Sequence, residues 1–153
     1  MKSLRKLIIV AATAALSTTA VQAESFTYLS QGDTPTVVGG STPEGVPYGG
    51  TYQTGKGATT WADGSKTSYS YKCVSTVQPP RDAIFMAHMA CDVVAADGAF
   101  SVSFGCNPIA GKADQQGCVG GLLGKSGRYA GRRGSLTNHG KGTVSLGTGQ
   151  WYE

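Results

Sequence analysis

Glycine is the residue that most restricts what this chain can fold into. All 23 glycines of the 153-residue sequence lie beyond residue 23, where they make up about 18% of the chain, against about 7% in ordinary proteins. Because a glycine inside a helix costs about 1 kcal/mol relative to alanine, this composition disfavours helices. Eleven of the glycines lie between Gly117 and Gly149, without the strict third-residue period of collagen. The pattern predicts short strands separated by turns.

The first 23 residues have the pattern of a Sec-type secretory signal. Three basic residues among the first six precede an apolar run from Leu7 to Leu16, and a small-residue cleavage site ends at Ala23. The apolar run is half the length of the roughly 20 residues that a transmembrane helix needs. We therefore predict cleavage before Glu24 and export to the periplasm or the extracellular space, without a membrane span.

Removing this segment changes the charge balance of the protein. The segment contains three of the 13 Lys and Arg residues and none of the nine Asp and Glu residues, so the remaining chain has a net charge of about +1 instead of the formal +4. Proteins that bind nucleic acid use a strong basic surface. The sequence therefore predicts no nucleic-acid partner.

The four cysteines predict two structural disulfides. An even number of cysteines in an exported chain favours disulfide bonds, and the spacings of 18, 15 and 12 residues lack the close pairs typical of a zinc site. The pairs Cys73 with Cys91 and Cys106 with Cys118 are favoured because each pair brackets a predicted turn. Pairing Cys91 with Cys106 across Asp97-Gly98 is nearly as good. We expect no metal site.

Composition divides the exported part of the chain in two. Residues 24–65 are rich in Gly, Pro, Ser and Thr and show only short strand-like runs, so we expect much of this segment to be loop. Residues 66–153 carry the longer strand patterns, and we assign the body of the fold to them. Its first strand runs from Lys66 to Val77, alternates strictly with Tyr69, Tyr71 and Cys73 on one face, and ends before Pro79-Pro80.

The stretch from Ala83 to Ala96 fits either a helix or a strand. Its alanines and methionines favour a helix, but it also shows a period of two. A strand here would form a hairpin with residues 99–106 across the Asp97-Gly98 turn. We predict this hairpin and further strands near residues 118–123, 134–137 and 142–146. The fold class is therefore all-β, a barrel or a sandwich.

Residues 124–136, with the sequence GKSGRYAGRRGSL, resemble the signature of a family of small β-barrels. The signature, G-G-T-G-R/K-Y/F-x-G-x-x-G-S/T, belongs to allene oxide cyclase-like and dirigent-like proteins and to exported bacterial relatives of unknown function. The segment from Cys91 to Gly98 also looks like the strand and turn that precede the signature in those bacterial proteins. Lys125 departs from the pattern, which has a small residue at that position.

The resemblance implies a small antiparallel β-barrel of about eight strands, a size that holds one small ligand or is filled by side chains. It carries over no catalytic residue, because the cyclase and dirigent activities depend on pocket positions outside the signature. Within the signature, Gly127, Gly131 and Gly134 around Tyr129 fit a hairpin corner, where glycine permits a positive φ and a close approach of strands. We expect these three glycines to be structural.

The predicted hairpin supplies the candidate ligand-binding residues. In a small barrel one face of each strand points into the lumen. His88 shares the other face of its predicted strand with Asp92, and we expect it to be a further candidate because a carboxylate can orient its imidazole. Apolar residues recur at alternate positions along the lumen face, which is formed by Phe85, Met89, Phe100, Val102 and Phe104.

These observations favour binding over catalysis. The sequence has no G-x-S-x-G nucleophile elbow, and cysteines held in disulfides cannot act as nucleophiles. We predict a monomeric, non-catalytic binding module for a small apolar molecule, with no cofactor. One alternative is a cyclase or dirigent-like enzyme, with acidic or basic residues converging inside the barrel. The other is a surface interaction or inhibitor protein, with a lumen filled by side chains.

Overall fold

The computed structural model describes residues 23–45, 47–77 and 84–152. Residues 1–22 of the predicted signal and the predicted Pro79-Pro80 turn lie outside the described residues. No residue within the described ranges is helical. The chain there forms nine strands: β1 (Glu24–Gly32), β2 (Thr36–Ser41), β3 (Pro47–Trp61), β4 (Lys66–Val77), β5 (Ala87–Ala95), β6 (Gly98–Ile109), β7 (Lys112–Gly127), β8 (Arg133–Lys141) and β9 (Val144–Tyr152).

Eight of these strands form a closed antiparallel barrel. Consecutive strands from β3 to β9 are neighbours, and β9 pairs with β1. The ring closes because β1 also pairs with the second half of β3, with Phe26 opposite Trp61. Among the described strands, β2 pairs only with the first half of β3 and lies outside the ring. The predicted all-β barrel of about eight strands is confirmed.

The N-terminal segment is part of the barrel instead of preceding it. The sequence predicts mostly loop for residues 24–65 and the barrel body at 66–153, whereas β1 and β3 are two of the eight barrel strands. The 15-residue β3 contains Gly55 and Gly57, each covered by a tyrosine ring of β4. Glycine here makes room for a neighbouring ring and does not form a turn. Composition alone therefore underestimates how much of residues 24–65 is strand.

The predicted hairpin is present. β5 ends at Ala95 and β6 begins at Gly98, so the ambiguous stretch is a strand and Asp97 lies in the turn. The three strands predicted in the last third of the chain overlap β7, β8 and β9. Alternation of buried and exposed side chains along these strands places one face of each in the barrel interior.

Two disulfides join neighbouring strands, with the predicted pairing. Cys73 in β4 bonds to Cys91 in β5, and Cys106 in β6 bonds to Cys118 in β7. Each pair is directly opposite in the strand register, and in each the Cα atoms are 4.1 Å apart. No described cysteine is free. Loops of this length correspond to a stabilisation of about 3 kcal/mol per bond by restriction of the unfolded chain.

Five aromatic residues close one end of the barrel and are called the aromatic plug: Phe26, Trp61, Phe100, Tyr129 and Trp151. Tyr129 and Trp151 are each 1% exposed, and their ring centroids are 5.0 Å apart. Phe100 packs on both, at 4.8 Å from Tyr129 and 5.4 Å from Trp151. These tilted and edge-on arrangements are the ones that aromatic pairs favour. The plug fills this end of the lumen with side chains.

Charged groups cover the plug. Arg132 Nη1 lies 2.9 Å from Glu24 Oε2, and Arg128 pairs with the other oxygen of Glu24 and lies 3.7 Å from Asp97 Oδ2. The Arg128 guanidinium also lies 3.7 Å from the ring centroid of Trp61, a cation–π contact. Burial raises the pKa of Glu24, but hydrogen bonds from both arginines outweigh it and lower that pKa overall. The ionised carboxylate ties the first residue of β1 to the corner between β7 and β8.

Candidate ligand-binding lumen

The barrel interior contains a cavity of about 110 Å³. This volume is below the roughly 150 Å³ of an apolar protein cavity that accommodates benzene, so it limits an occupant to single-ring size at most and is too small for an extended lipid chain. The Cys73–Cys91 disulfide contributes to its wall. Apolar side chains from β5, β6, β7 and β8 form a large part of that wall, namely Met89, Val93, Phe100, Val102, Phe104, Leu122 and Leu136.

Three tyrosines, Tyr28, Tyr69 and Tyr71, form a polar part of the same wall. The Tyr28 hydroxyl donates a hydrogen bond to Asn138 Oδ1 at 3.0 Å. The Tyr69 hydroxyl and Ser30 Oγ lie 2.6 Å apart, within hydrogen-bonding distance. The lumen is therefore amphipathic, with hydroxyl groups from β1 and β4 and apolar groups from the later strands.

Two glycines of β3 make room for the rings of Tyr69 and Tyr71. A Cβ atom on Gly55 would be 2.4 Å from Tyr71 Cζ, and one on Gly57 would be 2.5 Å from the Tyr69 hydroxyl oxygen. Both distances are shorter than real Cβ contacts. The rings therefore occupy the space that a side chain at position 55 or 57 would need. In this way the glycines of β3 position the polar wall of the lumen.

The phenols of the barrel interior are held in their neutral form. Burial raises the pKa values of Tyr28, Tyr69 and Tyr71 above the usual value near 10. In the plug, burial is the main cause that raises the pKa of Tyr129. Tyr129 also donates a hydrogen bond to Asp97 Oδ1 at 2.8 Å, and this bond raises the pKa further. At neutral pH all four side chains therefore present hydroxyl groups and not phenolates.

These raised pKa values predict alkaline unfolding. Above pH 10 the phenols of the unfolded chain lose protons that the folded protein retains, so stability is full below pH 10 and falls as the pH rises towards the folded-state pKa values. Each such tyrosine contributes a loss of up to about 1.4 kcal/mol per pH unit. Urea unfolding between pH 8 and 11.5 measures this slope, and Tyr129→Phe should make it shallower. A stability that is constant across that range would contradict the prediction.

Polar residues line the end of the lumen away from the plug. Gln31 Nε2 donates to Thr143 Oγ1 at 2.7 Å, and the backbone N–H of Gly32 donates to the Thr143 carbonyl at 2.8 Å. These bonds join β1 to the turn between β8 and β9. The residues of this end, called the mouth, are Gln53, Gln116, Gly142, Thr143 and Ser145.

Of the predicted ligand-binding residues, the structure places Met89, Phe100 and Phe104 in the lumen wall. Val102, from the same predicted face, lies there too. They come together because β5 and β6 are antiparallel neighbours, with Met89 directly opposite Phe104. The alternation of the hairpin therefore identifies one wall of the site.

Phe85 and His88 do not lie in the lumen wall. β5 begins only at Ala87, so the alternation does not extend back to Phe85, whose ring covers the space beside Gly105. His88 is next to the inward-facing Met89 and opposite Gly105 in the register, so its side chain is on the outer face. The two rings meet edge-on there, with centroids 5.8 Å apart.

The tyrosines of the lumen wall are the residues that sequence reasoning missed. A signal for two of them was present, because Tyr69 and Tyr71 share a strand face with Cys73. Once Cys73 is paired with Cys91, that face must be the one that carries Met89 in β5. Tyr28 had no such signal, because its position depends on the pairing of β1 with β9 across the whole chain.

The corner glycines are structural in their geometry. Gly127 and Gly131 have φ values of 59° and 74°, in the left-handed region that favours glycine. Gly134 instead lies in β8, where a Cβ atom would be 2.4 Å from the Gln150 carbonyl oxygen. They hold the corner that carries Tyr129 into the plug and do not contribute to the cavity wall.

The fold and the lumen define a class: a closed, eight-stranded antiparallel β-barrel with two disulfides and an interior cavity. The described residues bring together no group of three His, Cys, Asp or Glu side chains suited to a metal ion. They also form no helix that is long and apolar enough to cross a membrane. Comparison with models of known protein families finds no match, and comparison with curated proteins finds none either.

Proposed function

We propose that this protein is an exported, monomeric binding protein whose lumen holds a small apolar molecule without changing it chemically. The cavity of about 110 Å³, with its apolar wall, supports this proposal most directly. Transferring an apolar ring from water to such a wall is favourable, and pockets that are mostly apolar with a few placed polar groups are typical of small-molecule sites.

The character of the wall favours binding over a cyclase or dirigent-like activity. Among the described residues that line the cavity, none is Asp, Glu, Lys, Arg or His. General acid–base catalysis works best with a group whose pKa lies near the working pH. The tyrosines of the wall have pKa values that burial moves further above that range. The groups that such an enzyme would need are not gathered around this cavity.

Export fits the same proposal. The two disulfides are compatible with an oxidising compartment, and β1 begins at Glu24, directly after the proposed cleavage site. We also propose a relationship to the allene oxide cyclase-like barrels. It rests on residues 124–136, which run from β7 through the corner into β8.

A thermal-shift measurement with toluene tests the binding proposal. A ligand that binds only the folded protein raises its stability by about 2.7 kcal/mol at a hundredfold excess over the dissociation constant, which corresponds to about 10 °C in melting temperature for a domain of this size. We expect toluene to produce such a shift. A long-chain fatty acid should produce none, because the cavity is too small for it.

A matched pair of methionine variants locates the site. Met89 lines the cavity, whereas Met86 is 43% exposed and is not in the cavity wall. Met89→Trp should fill the lumen and abolish the toluene shift, and Met86→Trp should retain it. If toluene stabilised neither the native protein nor Met86→Trp, the binding proposal would fail and a surface interaction protein would become the better explanation.

A further inference from the structure

The hydroxyl group of Tyr71 differs from the other two tyrosine hydroxyls of the lumen wall in its hydrogen bonding. The Tyr28 and Tyr69 hydroxyls are each held by a hydrogen bond within the barrel. Tyr71 also lines the cavity, with its ring over Gly55, but its hydroxyl makes no hydrogen bond to another described residue. A phenol hydroxyl both donates and accepts. Tyr71 is therefore available to bond a polar group on a molecule in the lumen.

The electrostatic surroundings of this hydroxyl disfavour an anion. Among the described cavity-lining residues there is no cationic side chain to pair with a carboxylate. Burial is the main cause of the raised pKa of Tyr71, and the negative charge of the nearby Asp33 is the second cause. Asp33 is fixed beside the mouth by Gln53 Nε2, which donates to the Asp33 carbonyl at 2.8 Å. A carboxylate in the lumen would lose its hydration without a compensating charge.

We propose that the lumen takes an uncharged molecule of single-ring size that carries one hydrogen-bonding group, and that the Tyr71 hydroxyl binds that group. The ring lies against the apolar wall formed by Met89, Val102 and Phe104. Carboxylates of the same size are excluded. This inference rests on the proposed function and adds the chemical class of the ligand and the residue that selects it.

Calorimetric titration of the purified exported protein with three probes tests this selection: toluene, benzyl alcohol and benzoate. All three carry the same ring and differ in the group attached to it. We expect benzyl alcohol to bind at least about tenfold more tightly than benzoate, because the buried carboxylate would lack a compensating partner. In Tyr71→Phe, the dissociation constant of benzyl alcohol should rise about three- to tenfold, the range of one hydrogen bond, while that of toluene changes less than twofold.

Two controls separate this selection from a loss of structure. Tyr71→Phe removes a hydroxyl without a described protein partner, so its melting temperature should match that of the native protein. Tyr48→Phe alters a tyrosine that is 55% exposed and should leave all three affinities unchanged.

The outcomes distinguish this inference from the proposed function. If toluene binds but Tyr71→Phe leaves the affinity for benzyl alcohol unchanged, the role of Tyr71 is wrong and the binding function stands. If benzoate binds as tightly as benzyl alcohol, the exclusion of anions is wrong. If none of the three probes binds the native protein, the binding function fails, and the ligand class fails with it.

Discussion

The Gly124→Ala variant is expected to lose about 3 kcal/mol in free energy of unfolding, at the upper end of the usual cost of overpacking. Gly124 lies in β7, and a Cβ atom there would be 1.5 Å from the Tyr129 carbonyl oxygen. Its N–H also donates to the Arg132 carbonyl at 2.8 Å. Alanine must push the corner away from the strand and withdraw the Tyr129 ring from the plug. Urea unfolding measures the loss.

Two other glycines provide a graded control. Gly131 has a φ of 74° with no atom near its Cβ position, so Gly131→Ala should cost about 1 kcal/mol through backbone strain alone. Gly121 has no positive φ, and its nearest neighbour is the Gly134 carbonyl oxygen at 4.0 Å. Gly121→Ala should change stability by less than about 0.5 kcal/mol. Equal urea midpoints for Gly124→Ala and Gly121→Ala would contradict this account of the corner.

The Trp151→Ala variant should be destabilised by about 3–5 kcal/mol, the usual cost of removing a large buried aromatic side chain. Trp151 is 1% exposed and packs on both Phe100 and Tyr129. It is also in the strand that closes the barrel, opposite Glu24 of β1. Its loss leaves a cavity in the plug where β9 and β1 meet, and chemical unfolding should show a large fall in the midpoint.

The neighbouring residue is the matched control. Tyr152 is in the same strand and is also aromatic, but it is 38% exposed. Tyr152→Ala should cost about 1 kcal/mol or less, because little buried surface is lost. If the two alanine variants unfolded at the same urea concentration, the plug would not be a stabilising feature of the barrel.

The strand alternation made the fold class, the hairpin and the disulfides predictable. Alternation is local, so the sequence around residues 87–106 carries it completely. The two observed cysteine pairs were favoured because each brackets a predicted turn, but this criterion alone did not exclude a bond between Cys91 and Cys106. Residues 24–65 were harder to predict because whether a glycine belongs to a turn or to a strand depends on its neighbours in space. Gly55 indicates a turn by composition, yet it is a strand residue because the Tyr71 ring of β4 occupies the place of its side chain.

Half of the candidate site followed from the same alternation. Met89, Phe100 and Phe104 belong to one hairpin, so their common face is a local property of the sequence. Phe85 was assigned to the wrong environment because alternation does not tell where β5 begins. The hydroxyl groups of the site come from β1 and β4, and their meeting with β5 and β6 depends on long-range pairing. Composition and local pattern do not contain that pairing.

The pairing of β1 with both β3 and β9 also sets an order of events for the chain. A barrel that joins its first strand to its last cannot close until residues 144–152 have been made. Until then the strands already available can form only an open sheet with unpaired edges, the kind of structure that recruits other chains. Ring closure over so many intervening residues is also intrinsically slow. A chain made from its N-terminus therefore stays unclosed until β9 is available, and this final strand decides when the lumen forms.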